Sequence, residues 1–503
     1  MKKRFSLLVA LVTVIALVGL AGCSSDDGGT NTDRKASNSV IVGISQELDS
    51  LDPHNAEYAG TREVLFNMFE GLVKATSTGD IEPAVAKEYT VADDALSISF
   101  TLRDGIKFCD GTPVTAADVK YSIERYAEIQ AGSSAFSDFK EINIVDDSHV
   151  VVLLNNPNTE FIYSLTCAVL PEWNDANVLT NPIGTGPFKY VNYVPGEYLD
   201  VAKNEYYWKE GMPYLDAVQF KIVADAKTAI LQLNSGTLDI YQYLTADQAD
   251  TISSDFNILA GNVNYVQGMF LNNKYEPFSD VRVRQAIYYA VDRDLVNDMV
   301  FAGKSHIIGT NMIPGASAFY NASTETMYTH DVAKAKELLK EAGYENSLSF
   351  TIVVPNNYAP HESTAQIIIN SLEEAGIHAD MQLVDFTTWY SDVYVDRNYQ
   401  ATVVAVDGRL APASWFEKNV STASNNFTNY SNPEFDSEFA LAKAAIDLDE
   451  KKAHYSRLQE ILAEDAASIY VQDPSNLVAV NAQLEGYVFY PVSAQDLSVV
   501  KYK

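Results

Sequence analysis

Only one stretch of this sequence is long and apolar enough to sit in a membrane, and it lies at the extreme N-terminus. Residues 5–20 carry no charge, follow Lys2, Lys3 and Arg4, and end in Leu20-Ala-Gly-Cys23. A basic start, an apolar run and small residues at its end are the three parts of a secretory signal peptide, placed at residues 1–22. A membrane-spanning helix is the competing reading, because 5–22 approaches the lower limit of about 18 residues. Nothing after Cys23 matches that length of unbroken apolar sequence. The remaining chain of about 480 residues is therefore expected to fold in water outside the cytoplasm. At 47% hydrophobic and 11% aromatic residues, the chain can bury a large core.

Leu20-Ala-Gly-Cys23 resembles the lipobox of bacterial lipoproteins, which decides between the two readings. The resemblance implies cleavage before Cys23 and acylation of its thiol and amine with palmitate-type chains. Stable anchoring needs more than one chain, since each buried CH₂ contributes about 0.8 kcal/mol and a single chain is marginal. Residues 24–39 hold no aliphatic side chain larger than alanine. They cannot bury enough surface to order themselves, so 23–39 reads as a lipidated flexible tether. The expected location is the extracytoplasmic face of the cell membrane, touched only through the anchor.

The formal charge is −32, and about −35 without the three signal-peptide cations. Such a field repels nucleic acid and anionic headgroups and mildly favours cationic or zwitterionic solutes. Only Cys109 and Cys167 remain after Cys23, with no Cys/His spacing suited to zinc. An exported compartment permits a disulfide, but spacing leaves two readings open, a Cys109–Cys167 bridge or two separate buried thiols.

The body of the chain alternates short strands and helices. Ser97-Ile-Ser-Phe-Thr-Leu102 alternates with period two, as a half-buried strand does, and Arg103-Asp-Gly105 supplies a turn. Thr115 with Asp118 three residues on is a capping-box start for a helix over 116–128. Helices are also expected over 62–73, 227–234, 281–301, 361–375, 433–447 and 450–465, and after Asp331. Strands are expected over 40–44, 149–154, 188–193, 199–203, 217–223, 348–354, 379–385 and 401–406. The alternation after residue 281 points to an α/β domain with a mixed sheet.

Chemistry is harder to find. There is no Gly-x-Ser-x-Gly elbow, and His361-Glu362 has no second histidine at helical spacing. Ala302-Gly-Lys-Ser305 ends like a phosphate loop, but Asp298 stands where the first glycine belongs. The seven histidines are scattered. No enzyme, cofactor or metal is expected.

Several segments together resemble the family of extracellular solute-binding proteins that serve peptide and nickel ABC importers. They are Leu48-Asp-Ser-Leu-Asp-Pro-His54, Phe66-Asn-Met-Phe-Glu-Gly-Leu72, Ile81-Glu-Pro-Ala-Val-Ala86, Phe100-Thr-Leu-Arg-Asp-Gly-Ile-Lys-Phe108 and Asp110-Gly-Thr-Pro-Val-Thr-Ala-Ala-Asp-Val119. In the same order follow Gly184-Thr-Gly-Pro-Phe188, Asn204-Glu-Tyr-Tyr-Trp208, Asp280-Val-Arg-Val-Arg-Gln-Ala-Ile287 and Ala290-Val-Asp-Arg293. The resemblance implies an α/β, two-lobed periplasmic-binding-protein fold (class II, cluster C type) with mixed sheets and a two-strand hinge. Lobe I would span 40–268 and 480–503, with an extra subdomain near 60–182, and lobe II 269–479. Solute would bind between the lobes and close them. The expected protein is a monomeric receptor delivering a peptide or peptide-like small molecule to an ABC permease and its ATPase. A sensory or adhesive lipoprotein on the same fold is the alternative, and a secreted hydrolase a weaker one.

Peptide-binding relatives hold the ligand amine with an aspartate after the strand that 401–406 matches, which points to Asp407. Arg409 is an unusual addition that could pair with a ligand carboxylate or with a neighbouring acid. Ala411 and Ala413 replace acidic residues of dipeptide binders, and Asn356, Asn357 and Tyr358 stand where those binders present an arginine. Tyr58, Trp389, Tyr390 and Trp415 lie on segments that the family aims at its cleft, where aromatic walls give area at little entropic cost.

Overall fold

The computed structural model describes residues 31–130, 136–262, 265–316, 318–408 and 410–503. Two mixed sheets organise it. The first has seven strands in the order Phe256–Asn262, Ser475–Asn481, Ile240–Leu244, Ser39–Ile44, Ala217–Ile222, Tyr198–Lys203 and Phe188–Val194. Ser39–Ile44 is parallel to both neighbours, and the other pairings are antiparallel. The second has six, in the order His306–Ile307, Ile469–Asp473, Tyr265–Leu271, Ala401–Asp407, Ser349–Pro355 and His378–Val384. There Ser349–Pro355 is the strand parallel to both neighbours. Each sheet has its own apolar core, one around Val42, Phe188 and Phe220, the other around Met269, Val403 and Ile469. The fold is thus two-lobed α/β with mixed sheets.

A four-stranded antiparallel sheet, Ala86–Val91, Ser97–Leu102, His149–Leu154 and Phe139–Asp146, forms a third body. Ile98, Phe100 and Leu102 alternate inward to meet Val119 and Ile123 of helix Ala116–Ile129. That helix starts with the expected capping box: Asp118 donates its N–H to Thr115 Oγ1 (3.2 Å), and Thr115 N–H returns to Asp118 Oδ2 (2.9 Å).

Three expectations are corrected. The tether does not run to residue 39: Asn31–Ala36 is helical, and the Arg34 guanidinium donates to Asp239 at 2.8 Å, both side chains buried. Composition could not reveal one buried ion pair. The helix expected over 62–73 is only Ala59–Leu65. Asn67 ends it by spending its amide on Gln495 O (2.7 Å) and accepting Leu497 N–H (2.9 Å), which ties the turn to the C-terminal segment. The helix expected over 281–301 is two, Val281–Ala290 and Arg293–Phe301, because Asp292 caps the second by accepting Leu295 N–H (2.9 Å).

The chain passes between the sheets twice. Phe256–Asn262 leads to Tyr265–Leu271, and Ile469–Asp473 leads through Pro474 to Ser475–Asn481. The two passing segments pair antiparallel in both sheets. The sheets change at 262–265 and 473–475, a few residues before the limits placed at 268 and 479. Turn-type residues mark both points, Gly261-Asn262 at the first and Asp473-Pro474-Ser475 at the second.

The Gly184-Thr-Gly-Pro segment is held by close backbone approach. A Cβ on Gly184 would lie 2.2 Å from Met68 O. Gly186 N–H donates to that same oxygen (3.0 Å), and Gly184 O accepts from Cys109 N–H (2.9 Å). Overpacking against backbone typically costs about 1–3 kcal/mol. Gly184→Ala is therefore expected to lower stability by about that amount, read as a reduced urea midpoint with unchanged slope.

Candidate functional site

The first-lobe wall is shaped by carboxylates that hold loop backbone. Asp49 Oδ2 accepts the N–H groups of Glu57 (2.6 Å) and Tyr58 (3.2 Å). Asp52 accepts His54 N–H (3.0 Å) and pairs with Arg125 (2.6 Å). The loop so fixed presents Tyr58 to the second lobe, edge-on to Phe386 (centroids 4.9 Å) and Tyr390 (5.2 Å). Helix Ala59–Leu65 follows and carries Arg62 and Glu63.

Near the crossings, Glu63 is buried and accepts hydrogen bonds from the Tyr265 hydroxyl (3.1 Å), Gln242 Nε2 (3.2 Å) and the Tyr243 hydroxyl. Burial raises its pKa, against which the hydroxyls work. Tyr265 also donates its backbone N–H to Asp473 Oδ1 (3.2 Å). Asp473 is fully buried and its Oδ2 has no partner among the described residues, so burial pushes its pKa up to about 8. His361 lies with Nδ1 3.0 Å from the Gln267 amide, and burial pushes its pKa down to about 4, so its ring is neutral.

The second-lobe wall comes from the ends of its strands. Trp389 donates Nε1–H to Thr402 Oγ1 (2.9 Å) and stacks on Phe386, and Tyr390 stacks on Tyr394. Tyr358 reaches across to Gln46 Oε1 (3.0 Å) and sits edge-on to Tyr243. Three further contacts join the lobes. Arg62 pairs with Asp407, which also accepts from Ser493 Oγ (2.8 Å). Tyr390 donates its hydroxyl to Glu57. Glu160 of the subdomain is buried against Lys451 (2.8 Å), the Tyr455 hydroxyl (2.9 Å) and Ala413 N–H (3.1 Å).

Between these walls lies a cavity of about 660 Å³. Of the residues read from the sequence, Tyr58, Tyr358, Trp389, Tyr390 and Asp407 line it. Trp415 does not: it is buried in the second-lobe core with its ring against Gly408, where any Cβ would clash at 2.0 Å. Asn357 is also set back from the wall, buried with neither amide atom partnered by the described residues. Arg409 and Cys23 lie outside the described residues. Cys109 and Cys167 are free thiols, so the bridge reading is corrected. Sequence reasoning missed Gln46, Glu63, Glu160 and Lys418. Glu63 and Glu160 are carboxylates whose burial depends on partners from distant segments, and no local pattern announces that.

Among the described residues no group of three or more His, Cys, Asp or Glu could hold a metal ion, and no helix is long and apolar enough to cross a membrane. Residues 80–428 match the profile of the bacterial extracellular solute-binding proteins, family 5. The glutathione-binding protein GsiB of Salmonella typhi is 27% identical over 479 residues, covering 91% of this chain and 93% of that protein. GsiB of Escherichia coli O1:K1 / APEC is likewise 27% identical with the same coverage. Among solved structures, the binding protein AgaA in complex with agropinic acid, from A. tumefaciens R10, superposes with a TM-score of 0.82 at 28% identity. It is covered over 99% of its length by 92% of this chain. The oligopeptide-binding protein AppA of Bacillus subtilis, in complex with a nonapeptide, gives 0.83 at 22% identity with the same coverage and shares the fold. The chain belongs to the bacterial extracellular solute-binding proteins, family 5, and is a binding protein, not an enzyme.

Two predictions follow from the charges. Asp473 is neutral when folded and ionised when unfolded above its ordinary pKa, so folding takes up a proton. Its contribution is present at low pH and lost as pH rises through about 8. The melting temperature of Asp473→Asn should therefore gain on that of the unaltered protein as pH rises from about 5 to 8. A constant difference across that range refutes the neutral carboxyl. Removing Glu160 strands the buried Lys451 ammonium, a loss typically of about 3–5 kcal/mol. Glu160→Ala should populate more open lobe arrangements, seen as a larger radius of gyration in small-angle scattering, and adding Lys451→Met should reverse it.

Proposed function

We propose that this chain is the lipid-anchored, extracytoplasmic receptor of an ABC importer, closing its lobes on a peptide or peptide-like solute and delivering it to the permease. The observation that carries the reading is the cavity walled by both lobes. At about 660 Å³ it falls in the range of pockets that enclose a small organic molecule, roughly 300–1,000 Å³. Its walls combine aromatic faces from Tyr58, Tyr358, Trp389 and Tyr390 with polar groups that fix orientation. Aromatic faces tolerate varied side chains, as a peptide receptor needs. The names of the relatives favour the same class, since GsiB is a glutathione-binding protein and AgaA was solved with agropinic acid.

The lipobox at Leu20-Ala-Gly-Cys23 supports the anchor, which keeps the receptor beside its permease. Lobe closure would couple binding to presentation, because solute contacts made to both walls exist only in the closed form. The solute reading is tested by native mass spectrometry of protein purified without denaturation, followed by melting shifts with candidate peptides and glutathione. Binding should raise the melting temperature in proportion to RT ln(1+[L]/Kd). If nothing co-purifies and no peptide shifts the melt, the assignment is abandoned. Cys23→Ser should move the protein from the membrane to the soluble extracytoplasmic fraction and abolish incorporation of labelled palmitate.

A further inference from the structure

Most of the charged groups on the cavity wall, which also includes Glu417, are engaged by other protein groups, and one cation forms no ion pair among the described residues. Arg62 is paired with Asp407, Lys74 with Glu70 (2.9 Å), Lys451 with Glu160 (2.8 Å) and Lys443 with Asp138 (3.3 Å). Glu57 accepts the Tyr390 hydroxyl. Lys418 stands apart. It lines the cavity half-buried, its Nζ is 3.4 Å from the carbonyl oxygen of Asp407, and among the described residues no carboxylate comes within salt-bridge distance. An ammonium offers three donors, and this one spends a single long bond on protein.

A second wall group has the same polarity. Gln46 lines the cavity and is 6% exposed. Its Oε1 is taken by the Tyr358 hydroxyl, and its Nε2 has no partner among the described residues. An acceptor on the solute would satisfy it. His54 Nδ1 is the counterpart: it is buried, unpartnered and an acceptor, because Nε2 faces Ala168 O at 2.8 Å. Burial pushes the His54 pKa down to about 4, so this nitrogen takes a neutral N–H or O–H and balances no charge.

From this arrangement we propose that the cavity selects its solute through an anionic group received by Lys418, and that a free amino group on the solute is dispensable. The proposal rests on the receptor reading and names the solute class within it: a small peptide-like acid. An incoming ammonium at Asp407 has to share or displace Arg62 and Ser493, which already hold that carboxylate. An incoming carboxylate at Lys418 displaces nothing and neutralises a cation that lobe closure partly desolvates, where an unpaired charge is expensive. The net charge of −32 does not decide the matter. Beyond about 8 Å physiological salt screens the surface, so overall charge acts on encounter rates while the groups in contact set preference.

The test uses one tripeptide library prepared in three forms, free, N-acetylated and C-amidated, read by native mass spectrometry and by titration of the pools against the full exported chain. The N-acetylated pool should bind like the free pool, and the C-amidated pool at least tenfold more weakly. Lys418→Met should bind acid and amide pools alike, and Lys418→Arg should keep the preference, which separates loss of charge from loss of fold. The assignment is overturned if amidated peptides bind as well as acids, or if Lys418→Met still discriminates. If no pool binds the unaltered protein in any form, the receptor reading itself fails.

Discussion

The geometry of the site hangs on Tyr265, the first described residue after the chain enters the second sheet. Its backbone N–H is held by Asp473 on the returning segment, and its hydroxyl by Glu63 on the first lobe. One residue thereby links both crossings and the wall of the cleft. The two carboxyls that hold it are buried, and burial raises the pKa of each. A carboxylate in such surroundings is tolerated only with donors around it. Glu63 has three. Asp473 has one, which is why its pKa is pushed up to about 8 and it is carried as the neutral acid.

Charge pairing also explains why the two lobes meet where they do. Arg62–Asp407 and Glu160–Lys451 each take one partner from either side of the cleft. The first pair is partly exposed and the second buried; a buried pair adds little net stability, because desolvation offsets the attraction, but separating its partners without rehydrating them is costly. They therefore favour one closed geometry over near alternatives without making closure irreversible. On the proposed reading, solute contacts made to both walls would add to that preference.

Much of the architecture was legible because it follows from local rules. The period-two pattern of Ser97–Leu102, the capping box at Thr115 and Asp118, and the Asp331 cap all appear as read. The family motifs pointed to a two-lobed fold, and two mixed sheets with separate cores bear that out. The errors came where one distant contact overrules a local pattern: Asn67 reaching Gln495, and Arg34 reaching Asp239. Strands Phe256–Asn262, Tyr265–Leu271, Ile469–Asp473 and Ser475–Asn481 went unread, although they form both crossings. The last three are buried on both faces and lose the alternation that marks a half-buried strand, while Phe256–Asn262 is an edge strand exposed over most of its length.

By itself the sequence determined the α/β class with mixed sheets and the family, and it holds none of the catalytic motifs sought. Those are properties of residues close together in the chain, and short-range patterns carry them. Only the tertiary structure decided the state of each charge on the cavity wall. Asp407 lies 345 residues from the arginine that occupies it, and Glu160 lies 291 from Lys451. Whether a side chain is committed or available depends on which opposite charge the fold brings within about 4 Å, and Coulomb attraction and desolvation act through space, not along the chain. Lys418 is distinguished from the other wall cations by its neighbours alone.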